Sequence, residues 1–366
     1  MSKLLMISGD RALAQDKRGA FYNTLEEFHK YWDRIDIIIP YCGQSQIKNI
    51  FDNVFIHISP WPIIFQPWFI LKKGLEIFKQ NKFDLITVQE YAPFYNGIGA
   101  RMLWNDIKVP YILEIHHITG YLKPFNFKEW LYLKLFEIFI KTDSSKATAI
   151  RVVNQKEAPD YLIKCGIVKE KIAYIPSLYI DLDTFKPLNL EKKYDLSFVG
   201  RLASNKGLDL FLETVKKLNR RAIIVGDGPL RQSLELRIKN LELKNIITLY
   251  GWAKDQTEIA QLLNQSKILL MTSYSEGGPR VVVEAMACGV PVLATPVGVV
   301  PDLIKSGESG EIIDWDVDDI SKKANKLLND QSLYEKYRQN GLEIAKRFEK
   351  KEAIKNYAEK LASFII

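Results

Sequence analysis

The sequence predicts an α/β protein of two doubly wound, Rossmann-like domains facing a central cleft. Three observations carry that expectation. Short apolar runs alternate with amphipathic helical stretches, the pattern of parallel βαβ units. The runs fall into two series, separated by a proline-bounded segment at 175–187. Several runs end in glycine-containing turns that open a helix, where unpaired N–H groups and the helix dipole suit an anion.

In order along the chain, the first series of candidate strands is 4–8, 35–39, 54–58, 85–89, 111–116 and 149–153. The second is 196–200, 222–225, 246–250, 268–272 and 292–295. A charged cluster, Glu191, Lys192 and Lys193, precedes the second series. The tail from about Ser332 is rich in Lys and Glu and reads as helix. These signals place a first domain at 1–178, a second at 188–345 and a C-terminal helix at 346–366. In such sheets ligands bind at the carboxyl ends of the strands.

The 366 residues are 47% hydrophobic and 26% charged, an ordinary globular balance. No run approaches the roughly 20 apolar residues of a spanning helix. The start reads as a first strand rather than a signal peptide. Cys42, Cys165 and Cys288 are far apart, with no CxxC and no Cys/His cluster, so neither a disulfide framework nor a zinc site is indicated. A reducing cytoplasm is the expected location. The net charge of +7 suits phosphorylated substrates or anionic lipid. The lysines are scattered and no nucleic-acid signature is present, so no nucleic-acid partner is expected.

The run SEGGPRVVVEAMACGVPVLATPVG (275–298) is the most informative part of the chain. Seven residues separate Glu276 from Glu284. Gly277, Gly278 and Pro279 follow the first carboxylate, and a helix is expected to start near Pro279, where proline fits a first turn. That sets Glu276 at the loop mouth and Glu284 about two turns of ~3.6 residues further on. Two acceptors beside an anion site suit a ligand with both hydroxyls and phosphate, such as a sugar nucleotide. VGRL (199–202) with Lys206 and Gly207 brings a guanidinium and an ammonium to another strand-to-helix turn, where both could face a diphosphate. Alone, those cations read more readily as surface charge; beside the Glu276–Glu284 segment the phosphate reading prevails. GDGP (226–229) is a further strand-end turn, either a plain tight turn or a close backbone approach. It is not the GxGxxG fingerprint.

Together these motifs resemble the family 4 glycosyltransferases, retaining enzymes of the GT-B fold, over essentially the whole second domain. The resemblance implies a C-terminal helix that returns to the first domain and a UDP- or GDP-sugar donor held without a divalent metal. It further implies that Arg201 and Lys206 bind the donor diphosphate, that Glu276 accepts from donor-sugar hydroxyls, and that main-chain groups around Gly277, Gly278, Pro279 and Arg280 orient that sugar. Glu284 would take the ribose hydroxyls and Gly226 would line the nucleotide pocket. In the first domain, Gly19 heads the first helix and would approach the donor phosphate, with Lys17 or Arg18 as substitutes. His116 would hydrogen-bond the donor sugar near the reacting carbon, while His117, pointing to the other strand face, His29 and His57 read as structural. Asp181-x-Asp183 and Asp314-x-Asp316 mimic a metal-binding DxD but read as linker or surface residues.

The first domain is also aromatic. Trp61, Phe65, Trp68 and Phe69 precede Lys72 and Lys73; Tyr121, Phe125, Phe127, Trp130 and Tyr132 lead into a greasy stretch to 140. Rings with lysines suit contact with an anionic membrane at its inner face and a lipid-linked or glycan acceptor; the other reading is a buried helix and an apolar acceptor groove. The implied reaction is sugar transfer to a hydroxyl in polysaccharide, glycolipid or other glycoconjugate synthesis. A sugar-nucleotide isomerase or epimerase of the same fold and a non-catalytic scaffold are the rival readings.

Overall fold

The computed structural model describes residues 2–15, 19–43, 48–122, 124 and 127–365. Two compact units divide the chain: Met1–Ser177 with Lys351–Ile366, and Leu178–Lys350.

The first unit is organised on β1 (Lys3–Ile7), β2 (Arg34–Ile39), β3 (Lys48–Ile50), β4 (Val54–Ile58), β5 (Leu85–Gln89), β6 (Tyr111–Ile115), β7 (Ala149–Val152) and β8 (Ile172–Tyr174). They form one sheet in the order β3-β4-β2-β1-β5-β6-β7-β8. Every pair is parallel except β3 with β4. The inner strands are nearly unbroken apolar runs because helices cover both faces of a parallel sheet; Leu4, Leu5, Ile35, Ile37, Ile38 and Ile39 are all buried. The strand order reverses between β1 and β5, where the Ser8 hydroxyl donates to Gln89 Oε1 at 2.7 Å and ties the two strand ends together.

The second unit carries β9 (Tyr194–Val199), β10 (Ala222–Val225), β11 (Ile247–Gly251), β12 (Ser266–Met271), β13 (Val292–Ala294) and β14 (Glu311–Ile312). Their order is β11-β10-β9-β12-β13-β14, parallel throughout. The chain winds outward from β9 to β11, then returns to β12 on the other side of β9. The loops leaving β9 and β12 therefore diverge from adjacent strand ends, the position at which such sheets bind ligands.

Strands β3, β8 and β14 escape the sequence reading. Each is a two- or three-residue edge strand without an apolar run to announce it. The segment 178–187 is also not an exposed linker. Leu178, Ile180 and Phe185 are buried in the second core beside Met286, and Ile180 N–H donates to Phe348 O at 2.7 Å. The tail forms two helices, Gln331–Lys346 and Lys350–Ala362. The last packs in the first unit, with Ile354, Tyr357, Ala358 and Leu361 buried and the Tyr357 ring stacked on Phe28 at 4.9 Å.

The aromatic segments split. Phe69, Phe136 and Ile140 are buried in the first core, whereas Trp68 is 55% and Phe127 74% exposed, with Phe65, Trp130 and Ile138 also exposed. Phe125 lies outside the described residues. His57 Nε2 lies 2.8 Å from buried Asp36, and His29 Nδ1 lies 3.0 Å from Asn53 with its ring stacked on Phe51; both are structural histidines.

Ending the chain after Lys350 should uncover Phe28 and remove four buried side chains, a loss of at least about 3 kcal/mol. The urea midpoint of the first unit, followed by fluorescence of Trp32, which packs on Phe28 at 5.9 Å, should fall well below that of the full chain.

Candidate active site

The second unit gathers three loops at its strand switch. The first leaves β9 through Gly200, Arg201 and Leu202, makes a short 3-10 turn at Ser204–Lys206, and enters the helix Leu208–Leu218 through Gly207 at φ +61°. The second leaves β10 through Gly226, Asp227 and Gly228. The third leaves β12 through Thr272 to Pro279 and enters the helix Arg280–Ala287.

Close backbone contact locks the three together. A Cβ on Gly226 would sit 1.9 Å from Gly200 O, and one on Gly298 would sit 2.3 Å from Gly277 O. Both glycines hold positive φ, +139° and +58°. The backbone approach is thus what GDGP encodes. Across the switch, Asn205 Nδ2 donates to Ser275 O at 3.1 Å, Tyr274 N–H donates to Asn205 O at 2.8 Å, and the Thr272 hydroxyl donates to Gly207 O at 2.9 Å.

This frame holds Lys206 and Glu276 in a direct ion pair, both side chains half-buried. The Ser273 hydroxyl donates to the same carboxylate oxygen, Glu276 Oε1, at 2.7 Å. Ser273 is itself fixed through its carbonyl, which accepts from Thr295 Oγ1 at 2.6 Å and from Trp315 Nε1 at 3.0 Å. Lys206, Glu276, Gly278, Pro279 and Arg280 line a hollow of about 220 Å³. A larger, mostly apolar hollow of about 610 Å³ adjoins it, sharing Val199 and Gly200 and lined by Arg201, Gly226, Trp252 and Ile259. The Trp252 ring is 75% exposed at that hollow.

The helix starts at Arg280, with Pro279 as its N-cap, so Glu284 lies just over one turn inside it rather than two turns beyond Glu276 on one helix. Its carboxylate is half-buried, accepts no hydrogen bond among the described residues and lines neither hollow. Burial pushes its pKa up to about 7, against the pull of the Arg280 guanidinium. Arg280 stacks over the Tyr179 ring at 4.2 Å.

Seven predicted residues, Arg201, Lys206, Gly226, Glu276, Gly278, Pro279 and Arg280, thus border adjoining hollows. Gly277 contributes its carbonyl to the Gly298 contact. Ser273, Asn205, Thr272 and Trp252 were not singled out. Ser273 and Asn205 are ordinary loop residues in sequence, and only the loop crossing reveals their work; Trp252 directly after the Gly251 strand end was the one available signal. The two DxD pairs are occupied locally: Asp181 accepts from Asp183 N–H at 3.0 Å, and Asp316 caps the helix Val317–Asn329 through Asp319 N–H at 3.0 Å.

In the first unit, Gly19 caps the helix Ala20–Phe28 with ordinary extended φ of −101°, and a Cβ there would meet nothing closer than Ala12 Cβ at 3.8 Å. Steric need does not explain that glycine. Lys17 and Arg18 lie outside the described residues. His116 directly follows β6 and is 42% exposed in its side chain.

Residues 180–344 match the family model described as Glycosyl transferases group 1. Over 351 residues the chain is 28% identical to the GalNAc-alpha-(1->4)-GalNAc-alpha-(1->3)-diNAcBac-PP-undecaprenol alpha-1,4-N-acetyl-D-galactosaminyltransferase of Campylobacter jejuni, covering 92% of this chain and 89% of that one. Among solved structures it resembles sucrose-phosphate synthase from Thermosynechococcus elongatus, with TM-score 0.80, 18% identity, and coverage of 99% and 98%. It also resembles Anabaena HepE, solved with UDP and glucose, with TM-score 0.76, 19% identity, and coverage of 99% and 100%. The fold of the chain is GT-B.

Two measurements check the site geometry. Gly226→Ala should cost at least about 2 kcal/mol, because a methyl group cannot occupy a carbonyl's place and the positive φ adds strain; chemical denaturation reads this directly. For Glu284 the folded state holds the proton more tightly than the unfolded chain, whose pKa is near 4.5. The Glu284 contribution to wild-type stability should therefore fall as pH rises from about 4.5 to about 7 and then level off. Glu284→Gln should remove that fall, gaining up to about 3 kcal/mol above pH 7 and nothing near pH 4.

Proposed function

We infer that this two-domain chain of GT-B fold transfers a sugar from a nucleoside-diphosphate donor to a hydroxyl acceptor. The observation that carries the reading is the Lys206–Glu276 pair, set on a glycine-built rim at the strand switch of the second unit, in a hollow adjoining the one that Arg201 borders. The group 1 match over 180–344 and the Campylobacter sugar transferase support it, and HepE, solved with UDP and glucose, supports a nucleotide-sugar donor.

The division of labour follows from the two hollows. The apolar one, with Trp252 at its edge, suits a nucleobase, because an aromatic face and a glycine-lined floor accept a flat ring. Arg201 and Lys206 then meet the diphosphate. As the bond to the sugar breaks, negative charge grows on the leaving oxygen, and two fixed cations stabilise it without solvent reorganisation. Lys206 is paired with Glu276 Oε1 until the phosphate arrives, and Glu276 Oε2 is the oxygen that accepts from sugar hydroxyls. Val282 N–H donates to Pro279 O at 3.2 Å, so the N–H groups of Arg280 and Val281 are the first-turn donors left to face a ligand beside Gly277 and Gly278. Glu284, one turn deeper, is assigned the ribose, and His116 and Gly19 of the first unit the donor sugar and phosphate. The reaction is of the family 4 type, retains anomeric configuration and runs without a divalent metal, since the cations do that electrostatic work. UDP and GDP donors remain equivalent on these groups.

The acceptor is a glycan or lipid-linked hydroxyl at an anionic membrane face on the cytoplasmic side. No helix among the described residues is long and apolar enough to cross a membrane. Exposed Phe65 and Trp68 stand near the start of the helix Gln66–Asn81, and exposed Phe127 and Trp130 at the start of Phe127–Asp143. Each helix follows a strand of the same parallel sheet, so both starts lie at its carboxyl edge. On the same two helices Lys72 lies over the Trp61 ring and Lys128 over the Tyr132 ring, at 5.5 Å each, a pairing of cation and aromatic suited to headgroups.

Screening thermal stability against UDP- and GDP-sugars should single out one base, adding about 2.7 kcal/mol at 100 times its dissociation constant. With that donor, Lys206→Ala and Arg201→Ala should each lower kcat on the order of 100-fold, transfer should survive chelation, and NMR of the product should show the donor's anomeric configuration. Consumption of donor without acceptor would point instead to an isomerase. Trp68→Ser with Phe127→Ser should weaken co-sedimentation with anionic vesicles at low salt; unchanged binding, or none in the wild type, removes the membrane assignment.

A further inference from the structure

The first unit contains a buried charged cluster that the reaction as described does not use. Glu114, on β6, is 1% exposed, and Arg151, on the neighbouring β7, is 2% exposed. Arg151 Nη1 donates to Glu114 Oε1 at 2.6 Å, and its other nitrogens donate to Ile175 O and Pro176 O, both at 3.1 Å. The Tyr357 hydroxyl, from the C-terminal helix, donates to the same Oε1 at 2.7 Å, and its ring lies under the Arg151 guanidinium at 3.9 Å. Both donors thus hold one oxygen. The other, Oε2, is left facing His116 Nε2 at 3.9 Å. That nitrogen is buried and has no hydrogen-bond partner among the described residues.

We propose that Glu114 is a positioning residue for His116, and that Tyr357 clamps Glu114 in the pose that does this. A carboxylate opposite one imidazole nitrogen favours the proton on that nitrogen. Nε2 therefore carries the hydrogen, and Nδ1 keeps its lone pair for a hydroxyl donor. Glu114 is suited to the role because its charge is secure. Burial alone would raise its pKa, but the Arg151 guanidinium with His116 holds it down at about 2. The spacing is local: residues 114 and 116 stand two apart on one strand and its exit, so their side chains share a face. Tyr357 is distant in sequence, and it makes the setting of the histidine depend on the final helix.

This inference rests on the reading of His116 as a partner of the donor sugar, and two separate measurements keep them apart. The first is the nitrogen NMR signature of His116 in the full chain without ligand, with the ring neutral and His116→Gln used for assignment. The wild type should show a protonated Nε2 and an unprotonated Nδ1. Tyr357→Phe, which keeps the ring on Phe28 and Arg151 and so keeps the fold, should shift the population toward the other tautomer. Glu114→Gln should shift it further; thermal denaturation reports whether that variant folds, and Tyr357→Phe carries the test if it does not. In the second measurement, kcat for sugar transfer in Tyr357→Phe should fall about tenfold with donor KM nearly unchanged, the scale on which groups orienting a working imidazole act. An unaltered nitrogen signature in folded Tyr357→Phe overturns the positioning role. Full activity in His116→Ala overturns the catalytic reading of the histidine instead, and leaves the tautomer result to stand on its own.

Discussion

A carbonyl oxygen can touch a Cα only where no Cβ intervenes, and the rim of the second unit is built on that constraint. Gly226 meets Gly200 O, Gly207 meets Thr272 O, and Gly298 meets Gly277 O. Each contact joins two loops that come from different strands. Because these loops touch through main chain, they cannot drift apart without exposing or stranding polar backbone groups. The side chains they carry inherit that rigidity. Ser273, tied by Thr295 and Trp315, then fixes the Glu276 carboxylate, and Glu276 fixes the Lys206 ammonium. The order of dependence runs from missing methyl groups, through loop contact, to the placement of charge.

The two units solve different problems with one architecture. Both reverse strand order near the middle of a parallel sheet. In the second, the reversal opens on glycine turns and cations, the surface to which the proposed reading assigns the donor phosphates. In the first, the corresponding strand ends are tied by Ser8 and Gln89, and the charge is placed deeper, in the Glu114–Arg151 cluster. The final helix closes that cluster from outside through Tyr357. The C-terminal helix thereby completes a hydrogen-bonded cluster begun by the strand at 111–115.

Much of this was legible in the sequence. Central strands were visible because parallel sheets need unbroken apolar runs, and the glycine turns because few other residues tolerate those backbones. Edge strands β3, β8 and β14 were invisible for the converse reason: short and half-solvated, they need no such run. The segment 178–187 misled because its prolines signal a linker, whereas Leu178, Ile180 and Phe185 bury themselves in the second core. Arg201, Lys206 and Glu276 could be named from motif, but their connection could not. That Lys206 binds Glu276 in the resting protein depends on a crossing between residues 70 apart. Ser273, Thr272 and Asn205 were hidden for the same reason, since a hydrogen bond between loops leaves no periodic trace in either. Glu284 was placed on the right helix, but its raised pKa comes from burial that no spacing rule conveys.

The Lys206–Glu276 contact engages one oxygen of the acid, Oε1, which also takes the Ser273 hydroxyl. The second oxygen stays open to a further donor. On the proposed reading, an arriving anion would compete with the acid for the ammonium, whereas an uncharged monosaccharide would meet only that second oxygen and offer the ammonium nothing. The resting site would thus favour ligands that bring a negative group with them, and inhibitors that mimic the carbohydrate end alone would start at a disadvantage.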